Sequence, residues 1–375
     1  MAEILVVSMG WSDRENPVGN FEYDQAVALE KAGHMVNIFA LDLRTIFHSK
    51  HVFSYDKTLN NIRIKVIPLH IRFLPKRIKY LIGKCYLGLK YKKYIKNLNV
   101  DVIHAHWGPY CYLISMIAKQ LHIPLVVTEH NSLVNMPNPK SEYFNISTKA
   151  YAKADKRLCV STCLKKNLKI STGLDFEVVP NVLDPLIFNN NFKLRRRDLN
   201  DSIELVSVGH LLPIKNFELL IKCIYQIGNK KIKLRIFGEG ILKNELQHII
   251  NFYNLQNQII LEGNVDRKIL VINLLKSDAF VLLSKSETFG VAFIEAMACG
   301  LPVFSSKCGG TDDIIISERF GMIAKSFEIE ELTKELTSFL ENLDQYDREE
   351  ISEYALKNFS ESVLVSNLLK AYNQL

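Results

Sequence analysis

The sequence predicts an α/β protein of two doubly wound domains, and three observations indicate this fold class. The chain has 375 residues, which is too long for one ordinary core and suits two domains of roughly 150 to 200 residues each. Short apolar runs rich in β-branched residues alternate with helical segments along the whole chain. A polar, turn-rich stretch, NNNFKLRRRDLNDS at residues 189–202, separates two halves that share this alternation.

Continuous apolar strands of this kind are typical of parallel sheets covered by helices on both faces. In order, the predicted strands are ILVVS, MVNIFAL, IRIKVIPL, VDVIHAH, PLVVTEH, RLCVS and FEVVPN in the first half, and IELVSVG, IKLRIFG, IILEG, AFVLLS, PVFSS and GMIAK in the second. We expect a Rossmann-like domain over residues 1–193, a linker over 194–202, a second Rossmann-like domain over 203–357, and a helix from about 358 to 375 that packs back on the first domain. Because open α/β sheets bind ligands at the carboxyl ends of their strands, we expect the two domains to face each other across a cleft.

The composition is that of a soluble globular protein, with 48% hydrophobic and 23% charged residues. The sequence has no run of about 18 uncharged apolar residues that would predict a membrane-spanning helix. The opening MAEILVVSMGWSD carries Glu3 in place of the basic segment of a secretory signal. Seven scattered cysteines without a C-x-x-C pair predict neither zinc nor disulfides and suit a reducing compartment. We therefore expect a cytoplasmic protein without a bound metal.

The net charge of +7 is divided unevenly between the halves. Residues 1–200 hold 29 Lys and Arg against 16 Asp and Glu, whereas residues 201–375 hold 18 against 24. The two halves are therefore expected to meet different partners.

The strongest basic segment covers residues 57–100, which contain twelve Lys and Arg and no Asp or Glu. Aromatic residues are interleaved, and apolar residues recur at helical spacing, so the segment predicts a basic amphipathic helix. Such a helix suits an anionic membrane surface, where each nearby Lys or Arg contributes about 1 kcal/mol. Nucleic acid would also attract it, but no recognition module accompanies it, so we favour the membrane and expect no nucleic-acid partner. The predicted contact residues are Arg72, Lys76, Arg77, Lys79, Lys84, Lys90, Lys92 and Lys93.

In the second half, Lys215 lies at the start of a predicted helix in VSVGHLLPIKNFELL, after a strand that ends at Gly209. Asn216 is a candidate N-cap residue. A lysine beside the donor end of a helix can bind a diphosphate, because its charge adds to the unsatisfied backbone N–H groups. The alternative is a solvated lysine at a helix start.

Two glutamates, Glu287 and Glu295, lie in a nearly all-apolar stretch, SKSETFGVAFIEAMACGLPVF, at residues 284–304. A buried carboxylate needs hydrogen-bond donors, and its two acceptor oxygens match the two donors of a vicinal diol in ribose or a sugar. We place Glu287 in a strand-to-helix loop and Glu295 some two turns along a helix over about 289–298. The alternative is a structural glutamate bonded to backbone amides.

The first half supplies a glycine and three histidines at predicted strand ends. Gly19 follows the first strand, where a glycine lets the backbone approach a ligand closely. His104 and His106 share one side of their strand by alternation, and His130 ends the next strand. No ligand pattern supports zinc, so we predict that His104 is satisfied structurally and that His130 bonds substrate or loop backbone.

Together these motifs resemble glycosyltransferase family 4, the retaining enzymes of GT-B architecture, over nearly the whole chain. The resemblance rests on GHLLPIKN, on the two glutamates with seven residues between them around TFG, and on DVIHAH, TEHN, VVPNVLD and KCGGTDDII. It implies a hexosyltransferase, similar to those of bacterial surface-polysaccharide synthesis, that uses a nucleotide diphosphate sugar, with uridine as the expected base. It also implies that no metal or other cofactor is needed.

The resemblance further implies roles for the matching positions. Glu295 would hold the nucleotide ribose, Glu287 would bind hydroxyls of the donor sugar, and Lys215 would neutralise the diphosphate. His130 would lie beside the reacting carbon, and backbone amides would complete the pocket. The implied donor-binding positions are Gly19, Gly209, His210, Lys215, Phe289, Gly290 and Glu295, and the implied catalytic residues are Glu287, His130 and Lys215.

The sequence departs from the family pattern at several positions, while Lys215 is kept. Arg is replaced by His210, a Gly pair by Val18 and Gly19, the glycine of PNG by Val182, and a Glu by Asp312 or Asp313. The basic first half corresponds to the acceptor side of this architecture. We therefore expect a lipid-linked saccharide acceptor at the inner face of the cell membrane, with a soluble acceptor as the alternative.

Three other functions compete with this interpretation. A nucleotide-binding oxidoreductase would need a dinucleotide fingerprint, but FGEGILKN at 237–244 has Lys243 in place of the third glycine. A nucleotide-sugar epimerase shares the two-domain architecture and would form product without an acceptor. A non-catalytic partner that binds nucleotide sugar for a separate transferase is the third alternative.

Overall fold

The computed structural model describes residues 1–10, 21–42, 53–69, 75–184, 187 and 202–375. The chain forms two compact units and passes between them twice. The first unit contains Met1–Val182 and Glu361–Leu375, and the second contains Leu183–Ser360.

Among the described residues of the first unit, an eight-stranded sheet forms the centre. Its strands are β1 (Glu3–Met9), β2 (Met35–Asp42), β3 (Tyr55–Leu59), β4 (Ile62–Pro68), β5 (Val102–His106), β6 (Leu125–Glu129), β7 (Lys156–Cys159) and β8 (Glu177–Val178). The order is β3-β4-β2-β1-β5-β6-β7-β8, and β3 pairs antiparallel with β4 while the other pairs are parallel. The strand order changes direction beside β1, so the carboxyl ends of β1 and β5 are where such sheets bind ligands.

Seven described helices belong to the first unit. They are α1 (Phe21–Lys31), α2 (Lys76–Lys90), α3 (Lys92–Asn97), α4 (Gly108–Leu121), α5 (Glu142–Tyr151), α6 (Thr162–Thr172) and α13 (Glu361–Tyr372). Ser141 and Ser161 begin α5 and α6 with side-chain caps, as their short polar side chains favour. The core on one face joins Val6 and Ile38 of the sheet to Leu29 of α1 and Leu368 of α13.

A six-stranded parallel sheet forms the centre of the second unit. Its strands are β9 (Ile203–Val208), β10 (Ile232–Phe237), β11 (Ile259–Gly263), β12 (Ala279–Leu282), β13 (Val303–Ser305) and β14 (Gly321–Ile323), in the order β11-β10-β9-β12-β13-β14. Its helices are α7 (Phe217–Ile227), α8 (Lys243–Phe252), α9 (Arg267–Lys276), α10 (Val291–Ala298), α11 (Ile329–Glu341) and α12 (Arg348–Asn358). Both units are thus doubly wound α/β folds, as the strand pattern predicted.

The chain passes between the units earlier than the sequence boundaries suggested. The sequence placed the first domain over residues 1–193, whereas the structure assigns Leu183 to the second unit. The proposed linker lies outside the described residues except for Ser202. Helix α13 belongs to the first unit, where Tyr372 Oη lies 2.7 Å from His104 Nδ1.

Candidate active site

Lys215 is positioned by the loop that follows β9. Residues Pro213–Lys215 form a single 3₁₀ turn, and Asn216 begins α7 in the left-handed conformation (φ 56°) without a side-chain cap hydrogen bond. The Lys215 stem lies along Gly209, where an added Cβ would be 3.4 Å from Lys215 Cδ. The lysine stem is therefore close to the Gly209 backbone, while the neighbouring His210 is exposed.

Glu287 and Lys215 form an ion pair at the carboxyl end of the second sheet. Lys215 Nζ lies 2.6 Å from Glu287 Oε1, and Ser284 Oγ donates to the same oxygen at 2.7 Å. Glu287 is only 8% exposed, so these donors compensate for the loss of water around its charge. The structure brings together two of the residues that the sequence assigned to the donor, the lysine and the first glutamate.

The KCGG segment holds the Glu287 loop. Glu287 N–H donates to the carbonyl of Cys308 at 2.9 Å, and Gly310 N–H donates to the carbonyl of Glu287 at 3.0 Å. A Cβ at Gly310 would lie 2.6 Å from Phe289 N and 2.7 Å from Phe289 O, which are backbone atoms. Only a glycine at position 310 allows the two loops to approach this closely.

Helix α10 begins directly after this loop. Gly290 has a φ of 105°, and the ring of Phe289 is buried beneath the loop. The helix starts at Val291, slightly later than the predicted residue 289, so Glu295 lies little more than one turn from its start. The backbone amides of residues 289 and 290 are thus at the N-terminus of α10, where an anion is favoured.

Glu295 is paired with Arg267, which was not among the predicted site residues. Arg267 Nη2 bonds Glu295 Oε1, and Arg267 Nε lies 2.9 Å from Asp184 Oδ2. One guanidinium therefore connects the second glutamate of the pair to the last residue of VVPNVLD. The contacts join three distant segments, and spacing within one motif gave no signal for them.

The glycines of FGEG pack closely against the loop that carries Lys215. A Cβ at Gly238 would lie 2.0 Å from the carbonyl oxygen of Gly209, and a Cβ at Gly240 would lie 2.4 Å from that of Leu211. Leu211 N–H also donates to the carbonyl of Glu239 at 3.0 Å. Protein backbone occupies the space beside both glycines that a cofactor would need, which argues against the dinucleotide-binding alternative.

Three buried histidines lie at the carboxyl edge of the first sheet. His104 is satisfied at both ring nitrogens, by Tyr372 and by Thr128 Oγ1 at 2.6 Å. His106 Nδ1 lies 2.9 Å from His130 Nε2. Within the described part of the chain, His106 Nε2 and His130 Nδ1 have no hydrogen-bond partner. His130 therefore keeps one ring nitrogen that a substrate hydroxyl could bond.

Burial keeps these histidines neutral near neutral pH. Removal from water lowers the pKa of His104 and of His130 to about 3, and the pKa of His106 falls well below its usual value for the same reason. The nearby Asn181 side chain, which makes no aligned hydrogen bond to the His130 ring, offsets only part of this lowering of the His130 pKa. His130 is consequently a neutral hydrogen-bonding group here and not a cation.

Glu129 fixes the strand end that precedes His130. Its Oε1 accepts the N–H groups of His130 at 2.9 Å and Asn131 at 2.8 Å, and its Oε2 accepts from Gly108 N at 3.1 Å and Tyr151 Oη at 2.5 Å. Burial raises the pKa of Glu129, and these donors oppose the rise. This fully buried carboxylate connects β6 to the starts of α4 and of the loop after β6. Glu129 lies within the TEHN motif, but it was not among the predicted site residues.

The basic amphipathic helix predicted from the sequence is α2. It exposes a row of large apolar side chains: Ile78, Leu81, Ile82, Tyr86 and Leu89, the last of which is 88% exposed. Lys90 and Lys93 are exposed near one end of this row, and Lys79, Lys84 and Lys92 are half-buried. Lys84 Nζ lies 4.6 Å from the centre of the Tyr112 ring.

Some predicted residues lie outside the described part of the chain. These are Gly19 and Arg72, together with the side chains of Lys76 and Arg77. Among the residues that are described, no cluster of three or more His, Cys, Asp or Glu is arranged to hold a metal ion. A membrane-crossing helix, which must be both long and apolar, is likewise not found among the described helices.

Comparison with known proteins identifies the family. The family described as Glycosyltransferase Family 4 matches residues 18–185, and the family described as Glycosyl transferases group 1 matches residues 190–358. The uncharacterized glycosyltransferase MJ1178 of Methanocaldococcus jannaschii is 27% identical over 332 residues, which cover 87% of this chain and 90% of the relative. The GPI3 component of the phosphatidylinositol N-acetylglucosaminyltransferase of Saccharomyces cerevisiae is 25% identical over 231 residues, which cover 58% of this chain but 51% of the relative.

Solved structures share the fold over the whole chain. Sucrose-phosphate synthase from Thermosynechococcus elongatus has a TM-score of 0.80 at 17% identity, covering 100% of this chain and 99% of that one. Anabaena Alr3699/HepE, in complex with UDP and glucose, has a TM-score of 0.74 at 16% identity and covers 100% of both chains. Because the two family matches together span most of the sequence, the chain belongs to glycosyltransferase family 4 and is a glycosyltransferase with the GT-B fold.

Proposed function

We propose that the protein is a retaining glycosyltransferase that moves a sugar from a UDP-sugar to a lipid-linked saccharide during surface polysaccharide synthesis. The observation that supports the donor site best is the ion pair of Lys215 and Glu287, whose Nζ and Oε1 atoms lie 2.6 Å apart. It holds one cation and one carboxylate beside the N-terminus of α10. These are the groups needed for a diphosphate and for sugar hydroxyls, respectively.

The chemical task is to let a nucleoside diphosphate leave the anomeric carbon of the sugar. Lys215 and the amides of residues 289 and 290 would stabilise the charge that develops on the leaving phosphate. Glu287 would exchange its bond with Lys215 for bonds from sugar hydroxyls, and Glu295 would accept hydroxyls of the ribose. In this proposal no metal or other cofactor is needed to balance the charge.

Retention of configuration follows from attack on the same face that the diphosphate leaves. The carbon–oxygen bond to the phosphate breaks, the bond to the acceptor oxygen forms, and the acceptor proton moves to the departing phosphate oxygen. His130 is neutral, and its Nδ1 would bond a sugar hydroxyl near this carbon, so it orients the donor without acting as an obligatory base. Uridine is proposed as the base, which the UDP complex of HepE supports.

The acceptor is proposed to be held by a membrane lipid, with the protein on the inner face of the cell membrane. The exposed apolar row of α2 would enter the interface, while the nearby lysines would face anionic headgroups. A relative named for transfer to phosphatidylinositol supports a lipid acceptor. The acidic residues that would repel such a surface are missing from residues 57–100 of the sequence.

Calorimetric titration with UDP, GDP, ADP and CMP in the presence of EDTA tests the donor site. We expect selective binding of UDP, and at least tenfold weaker binding by Glu295→Ala than by Glu262→Ala, a control glutamate that is paired with Arg235. Analysis of the product formed from a UDP-sugar should then show that the transferred sugar keeps the anomeric configuration that it has in the donor. Binding of none of these nucleotides, or an inverted product, would contradict the proposal, and product without any acceptor would indicate an epimerase.

Cys85 gives a direct probe of membrane contact, since it is the exposed cysteine among the seven and lies within the apolar row of α2. A polarity-sensitive fluorophore on Cys85 should shift to the blue with vesicles of phosphatidylcholine and phosphatidylglycerol, but not with phosphatidylcholine alone. Replacing Lys79, Lys90 and Lys93 by Gln should weaken partitioning by about a hundredfold, at about 1 kcal/mol per charge. The control is Ile241→Gln, at an apolar site of the second unit that is 80% exposed. Equal partitioning of the wild type and the triple lysine variant would contradict the role of these lysines, and no blue shift with anionic vesicles would exclude α2 as the contact.

A further inference from the structure

The two places where the chain passes between its units are joined within the second unit. The first passage follows Val182 and the second follows Ser360. Leu183 N–H donates to the carbonyl of Phe359 at 3.0 Å, so the outgoing and returning segments are tied by a backbone hydrogen bond. We call these two segments, residues 183–184 and 359–360, the crossing segments.

Arg267 connects the first crossing segment to Glu295. Its Nε forms an ion pair with Asp184 Oδ2 at 2.9 Å without the alignment of a hydrogen bond, and its Nη2 bonds Glu295 Oε1. The side chains of Arg267 and Asp184 are each 13% exposed, and that of Glu295 is 7% exposed. A guanidinium is planar and stays protonated, so it can bridge two carboxylates in a fixed geometry that an ammonium group cannot reproduce.

The second crossing segment also contacts the loop that carries Glu287, residues 283–290, which we call the donor loop. The ring of Phe359 packs edge-on against the ring of Phe289, with centroids 5.7 Å apart. Phe289 follows Glu287 by two residues and precedes the N-terminus of α10. Both crossing segments therefore contact a residue of the donor loop or a residue that holds Glu295.

We infer that Arg267 is a positioning residue that fixes Glu295 for the ribose and couples donor binding to the crossing segments. This inference rests on the proposed donor site. In the free protein, one cation is shared by two carboxylates. When ribose hydroxyls donate to Glu295, that carboxylate needs the guanidinium less, and Arg267 binds Asp184 more strongly. Asp184 itself does not touch the nucleotide in this scheme, so it affects the donor only through Arg267.

Hydrogen exchange and calorimetry on the intact chain test the coupling. UDP should slow amide exchange of peptides covering residues 183–184 and 359–360 at least threefold, relative to peptides of β9 in the same unit. Arg267→Lys should remove this protection and weaken UDP binding at least tenfold, because an ammonium group cannot serve both carboxylates. Asp184→Asn should remove the protection but weaken UDP binding less than tenfold. Arg235→Lys is the matched control, because Arg235 pairs with Glu262 away from the site.

The outcomes separate the coupling from the proposed function. Wild-type protein that binds UDP without protecting the crossing segments would overturn the coupling and leave the donor site standing. Unchanged affinity and protection in Arg267→Lys would overturn the positioning role. A second measurement needs no nucleotide: Arg267→Met should speed exchange at residues 183–184 but not in β9, and unchanged exchange would also contradict the inference. Binding of no nucleotide at all would instead refute the proposed function, and the coupling with it.

Discussion

Replacing Lys215 by Met removes the ammonium group and keeps the aliphatic stem that lies along Gly209. The side chains of Lys215 and Glu287 are 20% and 10% exposed, so the variant leaves a mostly buried carboxylate without its cation. Losing a hydrogen bond to a charged group costs about 1.5–3 kcal/mol. For a unit of this size each kcal/mol lowers the melting temperature by about 2–4 °C, so we expect a fall of about 3–12 °C in calorimetry.

The same substitution should weaken UDP binding at least thirtyfold, or about 2 kcal/mol, while uridine affinity changes little. Lys215 would contact the diphosphate and not the nucleoside. The double variant Lys215→Met, Glu287→Gln separates the two effects, because it removes the unpaired carboxylate charge. We expect the melting temperature to recover by half or more and the UDP affinity to stay low. Recovery of both would show that Lys215 acts only through folding, and equal losses for uridine and UDP would refute its phosphate role.

Three further predictions concern single sites. Glu129→Gln replaces one carboxylate oxygen by an NH2 group among the donors around residue 129. It should destabilise the first unit by about 3 kcal/mol in urea unfolding and leave the UDP affinity unchanged, so a change in UDP affinity would contradict the prediction. Gly310→Ala meets backbone of the Glu287 loop and should weaken UDP binding at least tenfold, whereas Gly228→Ala, with open space around it, should affect only stability; equal UDP binding would refute the loop role. Burial raises the pKa of Glu22 to about 7. Between about pH 4.5 and 7 the folded protein therefore keeps this proton while the unfolded chain loses it, so the stability of the wild type falls as the pH rises. The stability of Glu22→Gln relative to wild type should consequently increase with pH, by up to about 1.4 kcal/mol per pH unit. A constant difference across this range would contradict the assigned pKa.

The elements that the sequence predicted well are those whose signal is local. Buried parallel strands appear as continuous apolar runs, so both sheets and the loops after β9 and β12 could be located from pattern alone. Strand β3 was not predicted, because its residues YDKTL alternate between half-buried and exposed and contain little apolar surface. The N-cap position of Asn216 was found, but its left-handed backbone prevents the side-chain cap that the residue type suggested.

The donors to the two glutamates could be predicted only in part. Lys215 was assigned to a phosphate, and its pairing with Glu287 depends on how two loops from different strands meet. Arg267 begins α9, where its charge has no periodic partner in the sequence, and Asp184 lies in another motif. Glu129 did have a signal, because a carboxylate that ends an apolar strand must find donors. Long-range polar contacts of this kind follow from tertiary packing and not from spacing.

In the proposed donor site, the pairing of Lys215 with Glu287 would make the two parts of the donor depend on each other. A diphosphate would draw Lys215 away from Glu287, so UDP alone would leave this carboxylate with less compensation, whereas a UDP-sugar would supply hydroxyl donors in place of the lysine. Glu287→Gln should therefore bind UDP at least as tightly as wild type, yet gain much less affinity when the sugar is present. Titrating both proteins with UDP and with the preferred UDP-sugar measures this difference. Ser284→Ala removes a neutral donor to the same oxygen but keeps the carboxylate, so it should keep the gain in affinity from the sugar and serves as the control. If Glu287→Gln lost UDP affinity and kept the full gain from the sugar, Glu287 would be supporting Lys215 and not binding the sugar.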